Sequence, residues 1–182
     1  MAATVGMRAR QGVNLLFAKA ARAQLVADPA DAIEIAPLSD TRVVEPPEQR
    51  MLVLTISSYL FRLLTLIHYS PGRATEAYFN RSEQDRTLDE SIGEVGNLCC
   101  GAMKRELGGH FMHLGMSTPT ILDNRCMGFL DALKPAYVSQ HRIRIADRVD
   151  LHATLCLCAY ADLDFRIAEA SAREDTGALE LF

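Results

Sequence analysis

Residues 51–69 read MLVLTISSYLFRLLTLIHY, and the conformation of this stretch decides the fold. Branched and aromatic side chains dominate it, which suits a pleated, buried surface. Ser57-Ser58 interrupts the apolar run near its middle and Pro71-Gly72 follows it. A buried helix would share the near-continuous apolarity, but the length of each half and the turn residues favour two strands meeting near Ser57-Ser58. They form the core of a sheet.

Outward toward the N-terminus, Val13, Leu16, Phe17, Ala20, Ala21, Gln24 and Leu25 keep a helical period, so a helix is predicted over about 12–26, ended by Asp28-Pro29. Residues 33–44 alternate weakly before Glu45-Pro46-Pro47. Outward toward the C-terminus, 73–81 predicts a short helix or turn. Thr87-Leu88-Asp89-Glu90 is a capping-box pattern and Gly108-Gly109 a stop, which together predict a long helix. Its packing face holds Leu88, Ile92, Val95, Cys99, Ala102, Met103 and Leu107. Three extended segments follow at 113–122, 136–146 and 149–160, the last two alternating and joined by a turn around Asp147-Arg148. The fold class is therefore α/β, a largely antiparallel sheet with long helices packed on one face. Residues 1–47 read as an N-terminal helix and irregular accessory segment of the same domain, 48–168 as the main domain, and 169–182 as a tail.

The chain has 182 residues, 49% of them hydrophobic, with net charge −4 and pI about 5.7. That is enough for one self-sufficient core. The acidic balance argues against a broad nucleic-acid-binding surface. Five cysteines, an odd number, argue against a secreted disulfide framework and for a reducing, cytoplasmic setting. No apolar run has the ~20 residues that a membrane span needs. Arg8, Arg10, Lys19 and Arg22 precede the first acid, Asp28, which a transit peptide would also show; an amphipathic helix with basic residues outside is the simpler reading.

The long helix carries the residues that folding does not require. Glu90, Glu94, Asn97 and Gly101 project onto a stripe roughly opposite the packing face. A solvated helix face, or a second capping box at Ser91-Ile92-Gly93-Glu94, would account for these residues singly. Gly101 in a helix interior costs about 1 kcal/mol relative to alanine and calls for a reason such as close approach of another backbone.

Glu94-x-x-Asn97, Gly101 four residues on and Ser117-Thr118-Pro119 further along resemble the CheC/CheX/FliY group of chemotaxis phosphatases, most closely its single-site CheX-type members. The resemblance spans roughly residues 50–160 and is specific in the helix. It implies a phosphatase acting on the aspartyl phosphate of a CheY-like response-regulator receiver domain. Asn97 would orient the attacking water, Glu94 would dock the receiver through a lysine, and Glu90 and Gly101 would lie in the partner-binding surface. The chemistry needs mainly positioning, and a carboxamide can accept a hydrogen bond from the water and donate one to the phosphoryl group without a shifted pKa. The resemblance implies no cofactor or metal of its own, Mg2+ being supplied by the receiver. It also implies a homodimer through sheet edges. A non-catalytic receiver-binding or flagellar-switch-like module is the competing reading. Two positions depart from the family pattern: Glu90 stands where Asp or Ser is usual, and 21 residues separate Asn97 from Pro119, about one fewer than usual. The first helix has Gln11 and Asn14 but no glutamate, so one site per chain is expected.

Other motifs weigh less. His110 and His113 with Cys156 and Cys158 form no compact four-ligand set, and the two cysteines read as small apolar residues sharing one strand face. Vicinal Cys99-Cys100 places Cys99 in the core and Cys100 at the helix flank. Ser57, Ser58 and His68 fit no hydrolase arrangement, and His141, Arg142 and Arg144 read as a solvated strand face.

Overall fold

The computed structural model describes residues 3–38, 45–80 and 86–168. In chain order the elements are α1 (Met7–Gln24), β1 (Ile33–Pro37), β2 (Arg50–Ser57), β3 (Phe61–Tyr69), α2 (Arg73–Phe79), α3 (Leu88–Leu107), β4 (Gly115–Met116), β5 (Thr120–Asp123), a 3-10 helix (Asn124–Leu133), β6 (Tyr137–Ile145) and β7 (Val149–Ala159). The strands form one sheet in the order β1-β6-β7-β3-β2, with β4 and β5 both on the outer edge of β2. Every pairing in it is antiparallel. The 51–69 stretch is the predicted hairpin, and α1 starts five residues earlier than its period suggests. The 39–44 part of the weakly alternating segment and the 169–182 tail lie outside the described residues.

One face of the sheet carries both long helices. Leu52, Leu54 and Ile56 of β2, Leu63 and Ile67 of β3 and Leu151, Ala153, Leu155 and Leu157 of β7 form a single apolar cluster with α1 and α3. Alternation puts the other residues of these strands on the opposite face, where Met51, Leu66, Cys156 and Cys158 are covered by Met127 and Leu130 of the 3-10 helix. No element is expected from the sequence between residues 122 and 136, where this short helix lies. The β6–β7 turn has Ala146 and Asp147 at φ 49° and 52°, with Arg148 N–H donating to Ile145 O, a hairpin turn whose twist matches the flanking strands.

The 3-10 helix is fastened by a buried polar chain. Asn124 donates through Nδ2 to Pro46 O at 2.8 Å, so its Oδ1 accepts from His68 Nδ1 at 2.6 Å. Gln140 Nε2 donates to Thr154 Oγ1, leaving that hydroxyl to donate to His68 Nε2. This pattern needs a neutral His68, and burial pushes its pKa down to about 4. Burial does the same to His141, which is not on the solvated strand face expected of it but packs against Phe17 of α1, its Nδ1 buried with no hydrogen-bond partner among the described residues. Because both folded pKa values lie below the unfolded value of about 6.5, the unfolded chain binds more protons. Stability from the two histidines is complete above about pH 6.5 and is lost as pH falls toward 4, by up to about 3 kcal/mol each. Urea midpoints measured from pH 7 to 4 are expected to fall less steeply for His141→Leu than for wild type. Identical slopes would remove His141 from this account.

Candidate functional site

Three short-range devices fix α3. Thr87 Oγ1 accepts from Glu90 N–H, while the Glu90 carboxylate accepts from the Thr87 N–H and hydroxyl at 2.8 Å, a complete capping box. These hydrogen bonds hold the Glu90 carboxyl below its ordinary pKa. Asn80, just past α2, accepts from Ser91 Oγ and donates to Arg86 O, tying the start of α3 to the preceding helix. Asp89, one residue into the helix, accepts from the Tyr69 hydroxyl at 2.7 Å and pairs with Arg50.

Gly96 sets the depth at which α3 lies on the sheet. A Cβ there would stand 2.2 Å from Leu52 Cδ2 and 3.3 Å from Leu54 Cδ1. The buried face thus centres on Gly96, Cys99, Cys100 and Met103, and Cys100 is fully buried rather than at the flank. Burial pushes the Cys100 thiol up to about 12 and the Cys99 thiol higher still, so neither is a nucleophile near neutral pH. The bare backbone that close packing requires is at Gly96, not Gly101. At Gly101 a Cβ would meet only Arg105 Nη1, at 3.8 Å, so no contact within the described residues explains that glycine.

The predicted 113–122 strand is broken in two. Met116 pairs with Ile56 and Thr120 with Val53, so four steps along one strand answer three along the other, a one-residue bulge. Ser117 bridges it: its N–H donates to Thr55 O at 2.9 Å and its Oγ accepts from Thr55 N–H at 3.0 Å. Pro119, which has no N–H to satisfy, reaches α3, its Cβ 3.7 Å from where a Cβ on Gly93 would stand. Pro119, seated on β2 through Ser117, is therefore the wall facing the polar stripe.

Between wall and helix lies an open groove lined by Arg86, Glu90, Gly93, Glu94, Asn97 and Pro119, among others. Glu94 is exposed and paired with Arg86, a residue the sequence reading did not single out. Its place just before the capping box was the available signal. Asn97 is half-buried, and its carboxamide makes no hydrogen bond among the described residues. The structure thus brings Glu90, Glu94 and Asn97 together, with Gly101 one turn beyond on the same stripe. Asn14 of α1 is different: Nδ2 donates to Tyr137 Oη and Oδ1 accepts from Ser139 Oγ, so its carboxamide is spent inside the fold.

The remaining motifs stay dispersed. Cys156 and Cys158 are buried under the 3-10 helix, whereas His110 and His113 lie in the exposed segment after α3. Among the described residues no group of three or more His, Cys, Asp or Glu could hold a metal ion, and no helix is long and apolar enough to cross a membrane.

No protein-family model matches the sequence, and no curated protein matches it. Solved structures do. The chemotaxis protein CheX of Vibrio vulnificus is similar over 81% of this chain and 99% of its own, with TM-score 0.56 and 13% identity. A CheX–CheY–BeF3–Mg2+ complex of Borrelia burgdorferi matches with TM-score 0.58 and 13% identity over 81% of this chain and 96% of that one. A CheC-like superfamily protein of Shewanella sp. PV-4 matches with TM-score 0.51 and 9% identity over 84% and 98%. At these identities the likeness is one of architecture, and the chain has a CheX/CheC-like fold.

Proposed function

We propose that this protein hydrolyses the aspartyl phosphate of a CheY-like receiver domain, with Asn97 orienting the attacking water and Glu94 docking the receiver. The observation that carries the reading is the Asn97 carboxamide: half-buried, without an internal partner, one helical turn from an exposed carboxylate in an open groove. The amide opens on the groove with its donor and acceptor capacity unspent by the fold, and so is available to whatever enters there. Such an amide can hold a water through its oxygen and a phosphoryl oxygen through its nitrogen, which is the positioning that phosphoryl transfer requires.

Glu94 suits a docking role because its exposed pair with Arg86 is exchangeable. Surface ion pairs contribute roughly 0–1 kcal/mol, so a cation on the partner can take over the carboxylate at little cost. The likeness to a CheX seen together with CheY, BeF3 and Mg2+ supports a receiver as the partner, beryllofluoride being a tetrahedral mimic of a phosphoryl group. Mg2+ would then be held by the receiver.

The test follows the decay of a phosphorylated CheY-type receiver in Mg2+, with and without the protein. Wild type is expected to accelerate decay, and Glu94→Ala to raise the receiver concentration needed for half-maximal acceleration about tenfold, the scale of a lost charge-assisted contact. Binding without acceleration by wild type would instead establish a non-catalytic receiver-binding module.

A further inference from the structure

The charges along α3 divide into those the fold answers itself and those it does not. At the N-terminal end Asp89 is held by Arg50 and Tyr69, Glu90 by the capping box, and Glu94 by Arg86. At the C-terminal end Glu106 is taken by Lys19 of α1, whereas Lys104 and Arg105 make no ion pair with any described residue. The uncompensated charge on this surface is positive, in a protein whose net charge is −4.

The Arg105 guanidinium folds back one turn along the helix over Gly101, its Nη1 3.8 Å from where a Cβ of residue 101 would stand. Residue 101 is itself one turn from Asn97 on the same stripe. A second hollow, lined by Gly101, Lys104, Arg105, Met112 and His113 among others, is separate from the Asn97 groove and begins one helical turn further along α3. Met112, part of its lining, is 75% exposed, and Leu98, three residues before Gly101 and so its neighbour on the helix surface, is 49% exposed. Exposed apolar groups beside unpaired cations are the composition of a protein-binding surface with arginine at its centre.

We propose that Gly101, Lys104 and Arg105 form a second docking subsite for the acidic side of the same receiver, and that Arg105 determines specificity by steering an anionic partner toward Asn97. The proposal rests on the reading of Asn97 and Glu94 as a receiver-directed site. In a receiver that supplies its own Mg2+, the carboxylates holding the ion and the phosphoryl group together outweigh the metal's two positive charges, so the rim of that site stays net negative and complements the basic ledge as the Glu94 end complements a cation. The two ends together fix the partner's direction along α3, because a reversed dock would set acid against acid.

The experiment measures binding of a CheY-type receiver loaded with beryllofluoride and Mg2+ by wild type, Arg105→Gln, Arg105→Lys and the Lys104→Gln/Arg105→Gln double variant, at several salt concentrations. Decay of the phosphorylated receiver is followed in parallel. Arg105→Gln is expected to raise Kd five- to twentyfold, to flatten the dependence of log Kd on log salt, and to leave the decay rate at saturation within twofold of wild type. Lysine at 105 should restore the salt dependence and most of the affinity. Binding by the double variant within twofold of wild type would overturn the subsite while leaving the Asn97 reading intact. No binding by wild type would overturn that reading and the subsite with it. Thermal melts of each variant separate these outcomes from misfolding.

Discussion

Asn97→Ala is expected to lower the accelerated decay of a phosphorylated receiver by about 10²–10³-fold, the scale seen when one preorganised polar group is removed from a reacting centre. The fold should not suffer. The carboxamide has no partner among the described residues, and alanine is the better helix former, so the melting temperature should hold or rise slightly. Binding of a beryllofluoride-loaded receiver should also change little, since Glu94 and the rest of the groove remain. This combination of retained stability, retained binding and lost turnover belongs to a group that acts on the reacting atoms. An Asn97→Ala protein that accelerates decay within threefold of wild type would rule out its role with the water. Asn97→Asp makes the opposite point: it keeps size and acceptor capacity but brings negative charge toward a phosphoryl group and removes the donor, so it should be at least as damaging as alanine.

Much of the frame supporting Asn97 is legible because it depends on neighbours in sequence. The 51–69 hairpin follows from two apolar runs around Ser57-Ser58, and α3 follows from a capping box in which Thr87 and Glu90 satisfy each other. The stripe of Glu90, Glu94 and Asn97 follows from helical geometry alone. What escapes the sequence depends on distant partners. Arg86 becomes part of the groove only because α3 brings Glu94 back over it. The 3-10 helix is specified by what it covers, Met51, Leu66 and Cys156 on the far face, and by Asn124 reaching His68 and Pro46. Cys100 is misplaced by a periodic reading centred on Val95 and Cys99, because Gly96 lets α3 roll and sink until Cys100 is covered. Gly101 attracts notice in the sequence for the reason that applies to Gly96. In the fold the two glycines are opposites, one pressed into the sheet and one open to whatever arrives.

That opposition yields the largest stability effect expected in the molecule. Gly96→Val should destabilise the protein by about 3 kcal/mol or more, because overpacking typically costs 1–3 kcal/mol and valine is a poor helix former as well. The first added carbon already falls 2.2 Å from Leu52 Cδ2, with Leu54 and Ile67 side chains behind it at 3.3 and 3.5 Å. A rotamer change at Leu52 can relieve a single methyl, so Gly96→Ala should be milder, its gain in helix propensity partly offsetting the clash. Valine's two further methyls leave the helix no option except to rise from the sheet. At this chain length 3 kcal/mol corresponds to a melting temperature lower by roughly 6–12 °C. Gly101→Val adds the same side chain to the same helix, where a Cβ meets only the end of Arg105, and should melt within about 2 °C of wild type because any valine penalty is set against removal of a glycine. Equal melting temperatures for the two valine variants would refute the seating of α3 on β2. If the seating is right, the residual folded Gly96→Val protein should also lose turnover, because residue 97 moves with residue 96 while Pro119 stays anchored through Ser117 to β2. A shift of about 1 Å at a positioning group is enough to cost roughly 10²-fold in rate.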